Sequence, residues 1–197
     1  MTPLHTYAAG LGATIRPHPA TEPAPGDGGL VVVTPTTTWR SIDDPHDDGP
    51  LLEAPRTDTS SVILVATDLH RAGFVPNVIA SASIIAPAVP LAGLLDAVGA
   101  CMGDAGGAVG VQDWRVRARA VTGDDDELTL DLLGEYRVGQ MGLALSSLVR
   151  ARQVGGVTVL HQTHVTTLAD QLPHHTAGLA AARWAECLAP AEVRSAT

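Results

Sequence analysis

WRVRARAVTGDDDELTLDLLGEYRVGQMGLALSSLVRARQVGGVTVLHQTHVTTL, residues 114–168, decides the fold class. Apolar and polar residues alternate along it with a period of two, as they do in strands that bury one face. Trp114, Val116, Ala118 and Ala120 are predicted to share one face, and Arg115, Arg117 and Arg119 the other. After the turn Gly123-Asp124-Asp125-Asp126, the residues Leu128, Leu130, Leu132, Tyr136 and Val138 point inward, while Thr129, Asp131, Glu135 and Arg137 point out. A second turn, Gly139-Gln140-Met141-Gly142, leads into a strand with Leu143, Leu145, Val149 and Ala151 inward. Gly155-Gly156 is a two-residue hairpin signal, because such turns need positive φ at both positions. Residues 157–168 form the last strand of the meander. A four-residue turn at 139–142 would pair Val138 with Leu143, Tyr136 with Leu145, Leu132 with Val149, Leu133 with Leu148 and Asp131 with Arg150. Arg117 or Arg119 would then flank Asp131 on its other side.

Upstream the period changes. Leu91, Leu94, Leu95, Val98 and Met102 lie on one stripe of an amphipathic helix, with Pro90 suiting its first turn and Gly103 its stop. Gly93 and Gly99 weaken it intrinsically, so packing must hold it. Residues 61–67 are continuously apolar and β-branched, as a strand buried on both faces should be. A further strand is expected over 73–85, with Pro76 demanding an edge position or a bulge. A short strand is read at 30–33, ended by Pro35, with Trp39 in a second extended piece. Residues 43–60 read as an acidic loop. A C-terminal helix over 173–188 buries Ala177, Ala181, Trp184 and Leu188. The fold class is therefore α+β, an antiparallel meander flanked by two helices. Residues 1–28, with five prolines, read as a flexible arm, 29–189 as a single domain and 190–197 as a tail.

Composition narrows the function. All 12 basic residues are arginine, which removes the P-loop lysine and Schiff-base chemistry. A net charge of −9 repels phosphate backbones, so nucleic acid is not an expected partner. Aromatics are only 3% against 45% hydrophobic residues, so Val, Leu and Ala must fill the core. Cys101 and Cys187 are too few for a disulfide framework and are expected to be free thiols. No apolar run is long enough to span a bilayer, and the N-terminus lacks the pattern of a signal peptide. Cytoplasmic placement is expected, with the cell envelope as the alternative if an export signal has been removed.

No motif carries catalysis. His161 and His164 are three apart on a strand and so face opposite sides, which rules out a shared metal ion. The glycine-rich run 103–110 follows a helix, where a dinucleotide loop would have to follow a strand. There is no Gly-x-Ser-x-Gly elbow, and both cysteines fall on or beside apolar stripes. No cofactor, no metal and no enzymatic activity are expected.

The order of elements, with Pro35 and Trp39 after the first strand and Phe74-x-Pro76-Asn77-Val78 in a later one, resembles the LpqN/LpqT family of actinobacterial envelope proteins, within the wider PsbP/Mog1-like fold. The Phe-x-Pro-Asn segment is its most specific part; the remainder, over 30–188, is a pattern of elements. The resemblance implies a sheet flanked by helices and an accessory, chaperone-like or partner-binding role. It also implies a lipidated N-terminal cysteine in the envelope members, and here the first cysteine is Cys101. The expected function is a non-enzymatic accessory protein for a secretion or envelope client, with a carrier of a small apolar ligand as the alternative. The expected partner-binding face is the outer side of the meander: Leu133, Leu148, Arg150, Val157, Val159, His161 and Val165. It combines an apolar part with a polar row, as partner surfaces do; the alternative is that one of the two helices covers the apolar part and the polar row sits beyond its edge.

Overall fold

A computed structural model describes residues 2–18, 40–41, 61–66, 70–104 and 110–172. The elements run α1 (Pro3–Gly10), β1 (Thr14–Pro17), β2 (Arg40–Ser41), β3 (Ser61–Val65), β4 (Asn77–Ala86), α2 (Leu91–Asp104), β5 (Val111–Gly123), β6 (Glu127–Val138), β7 (Met141–Val154) and β8 (Val157–Leu168). One sheet has the order β2-β3-β4-β8-β7-β6-β5, and β1 also pairs with β4. Every pairing is antiparallel. The α+β meander read from the sequence is the observed architecture. The expected strand at 30–33, the acidic loop, the C-terminal helix and Cys187 lie outside the described residues.

One face of the sheet carries the core. Leu91, Leu94, Leu95, Val98 and Met102 of α2 are 0–6% exposed and pack with Ile85, Leu130, Leu132, Val149, Ala151 and Leu160. The helical stripe and the inward strand residues thus meet as their periodicities require. Pro76 raises no conflict with the interior position of β4, because it precedes the strand. It needs no donor there: its carbonyl accepts the Ala66 N–H at 3.0 Å.

The N-terminal arm is a correction. Residues 3–17 form α1 and β1 and belong to the folded domain. Thr2 caps α1 through its side chain, which accepts from the His5 N–H, and Pro3 occupies the first turn. Ala8 is 1% exposed and joins the core. Tyr7 lies against Gly93 of α2 and donates its hydroxyl to the Pro90 carbonyl at 3.0 Å. Tertiary packing orders a segment whose composition alone would not.

The close approach explains Gly93. A Cβ there would stand 2.8 Å from Tyr7 Cε2 and Cζ, so the ring would have to leave. Gly93→Ala is therefore expected to lose Tyr7 docking and gain helix propensity of about 1 kcal/mol. In a Tyr7→Ala background only the gain remains. Urea unfolding of the four proteins should give a coupling of roughly 1–3 kcal/mol; additive effects would mean that α1 does not dock through this pair.

Two registers also differ from expectation. Val138 pairs with Met141, so the β6–β7 turn is two residues long. Tyr136 then faces Leu143, Leu132 faces Ser147, Leu133 faces Ser146 and Asp131 faces Leu148. The shift is two residues, an even number, so every side chain keeps its predicted face. In β5, irregularities between Gln112 and Arg115 and between Val116 and Ala118 break the alternation. Ala118 and Ala120 pair with Leu133 and Asp131 and so stand on the outer face. Arg117 binds Glu135 on the outer face, whereas Arg119 reaches Asp96 of α2 on the inner one. A bulge adds one unpaired residue and so inverts the facing of all that follow.

Candidate functional site

The outer face, opposite α1 and α2, is built by register. Leu133 of β6, Leu148 and Arg150 of β7, and Val157, Val159, His161 and Val165 of β8 all point to it, as the sequence predicted. The structure divides them. Val159 and Val165 are 4% and 1% exposed, and with Val78, Ile84, Ser146 and Thr163 they form a closed zone. These two valines therefore drop out of an exposed contact surface. Leu133, Leu148, Arg150, Val157 and His161 remain half-exposed.

A charged cluster lies beside the half-exposed leucines. Glu127 pairs directly across from Arg152, and Arg150 comes within reach on the diagonal. Arg150 donates from Nε and Nη2 to the two carboxylate oxygens of Glu127, both at 2.8 Å, a bidentate pair. Arg152 Nε stands 3.7 Å from the same carboxylate. The hydrogen bond from Arg150 holds the Glu127 carboxyl below its usual range, against a smaller desolvation that pushes it up. His161 sits directly opposite Arg150, and Asp131 opposite Leu148. At the far side of the same row, His18 is 2% exposed, and its backbone N–H donates to the Ala82 carbonyl at 3.0 Å. The expected direct opposition of Asp131 and Arg150 is not the observed register: the tighter turn sets Thr129, two residues away, opposite Arg150, with Glu127 and Asp131 on its two diagonals.

The inner face carries a polar pair that sequence reasoning missed. Ser147 and His164 are cross-strand partners, and Ser147 Oγ lies 2.9 Å from His164 Nδ1. Burial lowers the pKa of His164 to about 4, so the ring is neutral at pH 7. Ser147 is fully buried, so its hydroxyl meets the imidazole and not solvent. The pair satisfies two polar groups on a part-buried stretch of the inner face. Its only sequence signal was the facing of His164, since the partner depended on register.

His161 and His164 do face opposite sides. Among the described residues no three His, Cys, Asp or Glu side chains are grouped to hold a metal ion. Cys101 is a free thiol whose sulfur accepts the Leu4 N–H at 3.3 Å. No described helix is long and apolar enough to cross a membrane.

No family profile matches the sequence, and no curated protein matches it. Solved structures do. The Mycobacterium tuberculosis protein LpqN, described as involved in cell envelope biogenesis, superposes with a TM-score of 0.64 over 91% of each chain at 14% identity. The fold is LpqN-like. A Pseudomonas aeruginosa protein of unknown function matches at a TM-score of 0.44 and 17% identity, over 64% of this chain and 81% of that one. The Saccharomyces cerevisiae Ran-binding protein Mog1p matches at 0.37 and 11% identity, over 63% of this chain and 69% of that one. At these identities the LpqN likeness establishes fold, not function.

Proposed function

We propose that this chain is a non-enzymatic accessory protein whose outer sheet face binds a protein partner. The observation that carries the reading is the juxtaposition of half-exposed Leu133, Leu148 and Val157 with the Glu127–Arg150–Arg152 cluster. The apolar side chains supply area to bury, and the fixed charges supply orientation and selectivity. The LpqN-like fold, whose namesake is described as involved in cell envelope biogenesis, favours a cell-envelope client as the partner class, with a secretion client as the alternative, and placement in the cytoplasm or the envelope follows that client.

Leu148→Arg tests the reading. The new guanidinium would stand across the strand pair from Asp131, so the fold should be retained with a change within about 1 kcal/mol. A partner captured from source cells by the wild-type protein should be lost by Leu148→Arg and by Arg150→Glu. If both folded variants retain every partner, the face is not the interface.

A further inference from the structure

We infer that the edge strand β5 pairs with β5 of a second copy of this chain, antiparallel and centred on Ala120. β5 ends the sheet, so one side of its backbone has no neighbour among the described strands. Residues 115–123 are all exposed, including Val116 at 50% and Val121 at 41%, two of the four exposed large hydrophobic residues among the described residues. The irregularities lie before Ala118, which leaves 118–123 in regular register with β6 and, among the described residues, without a strand on their other side.

Open edges are commonly guarded by bulges and charge, and β5 has both. Its charge, however, is arranged in two blocks. Arg115, Arg117 and Arg119 occupy the first part, and Asp124, Asp125 and Asp126 follow directly at the hairpin tip. A strand pairing in parallel would set like charges side by side. Antiparallel pairing about Ala120 sets Ala118 opposite Thr122 of the other copy, with small side chains on the outer face. It also lays Arg115 and Arg117 of each copy alongside the acidic tip of the other, and symmetry makes the contact twice. Arg119 then stands opposite Val121, where its aliphatic stem covers the exposed isopropyl group. Asp124 is occupied within its own turn, accepting from the Asp126 and Glu127 N–H groups at 3.0 Å. Asp125 and Asp126 are the carboxylates available to the arginines. The arginines thus discourage a basic or neutral strand, while the chain's own tip matches them.

Sedimentation equilibrium of the full chain from micromolar to millimolar concentration tests this directly. The wild-type protein should show a monomer–dimer equilibrium. Arg115→Glu and Asp125→Arg, both at exposed positions, should each weaken dimerisation at least about tenfold. The double variant should recover it, since the swapped charges meet again in the same register. Circular dichroism of each variant separates lost pairing from lost folding. A monomer at every concentration overturns the proposal and leaves the edge to a strand of a different protein. Single variants that dimerise undiminished, or a double variant that fails to recover, overturn this register.

Discussion

Taking the protein from pH 7 to pH 4 is expected to remove roughly 3 kcal/mol of stability through one side chain, His164. In the folded chain its pKa is about 4, against 6.5 for an ordinary imidazole, because burial penalises the charged form. Between those two values the unfolded chain binds a proton that the folded chain refuses. The stability is therefore fully present above pH 6.5 and is lost as the pH falls toward 4. The loss amounts to about 1.4 kcal/mol per pH unit. Against a total of about 5–15 kcal/mol for a typical domain it is a large share. Glu127 acts in the same direction at lower pH, since the Arg150 hydrogen bond depresses its folded pKa. Urea unfolding at pH 7 and pH 4 gives the difference. His164→Gln keeps a partner for Ser147 and removes the titration, so its pH dependence should be flatter. An equally steep loss in that variant would place the acid sensitivity elsewhere.

Leu132→Ala is expected to cost about 2–5 kcal/mol, the range for emptying a leucine site in a core that cannot collapse fully. Leu132 is 1% exposed and lies between Ser147 of β7 and the α2 stripe. Ile79, by contrast, is 39% exposed, and Ile79→Ala should change stability by less than about 1 kcal/mol. Midpoints of urea denaturation at constant slope measure both. Equal effects at the two positions would contradict the placement of the core under α2.

The face assignments of β6, β7 and β8 were legible because side-chain facing depends only on parity. An error of two residues in the β6–β7 turn left Leu133, Leu148, Arg150 and His161 on the side predicted for them. Pair identity is more demanding, since it depends on turn length. Thr129, not Asp131, stands directly opposite Arg150 for that reason, with Glu127 and Asp131 on the two diagonals. The seven outer-face residues were correctly grouped, yet alternation says which side a residue faces and not whether that side is covered. The burial of Val159 and Val165 was accordingly outside its reach.

The sequence by itself determined the antiparallel meander, the α2 stripe, the Gly155–Gly156 turn and the opposed facing of His161 and His164, all consequences of local periodicity and local φ preference. Tertiary structure decided the rest. It ordered residues 3–17 by giving Tyr7 a seat on Gly93 and Ala8 a place in the core, contacts between positions more than eighty residues apart. It inverted the second half of β5 through bulges that no residue type announces. It also joined Ser147 to His164 across a strand pair and took most of the imidazole out of water, which shifted a histidine that looked ordinary in the sequence to a pKa of about 4. Facing is a property of the chain and its period, whereas partners, burial and the ionisation that follows from them exist only once distant segments have met.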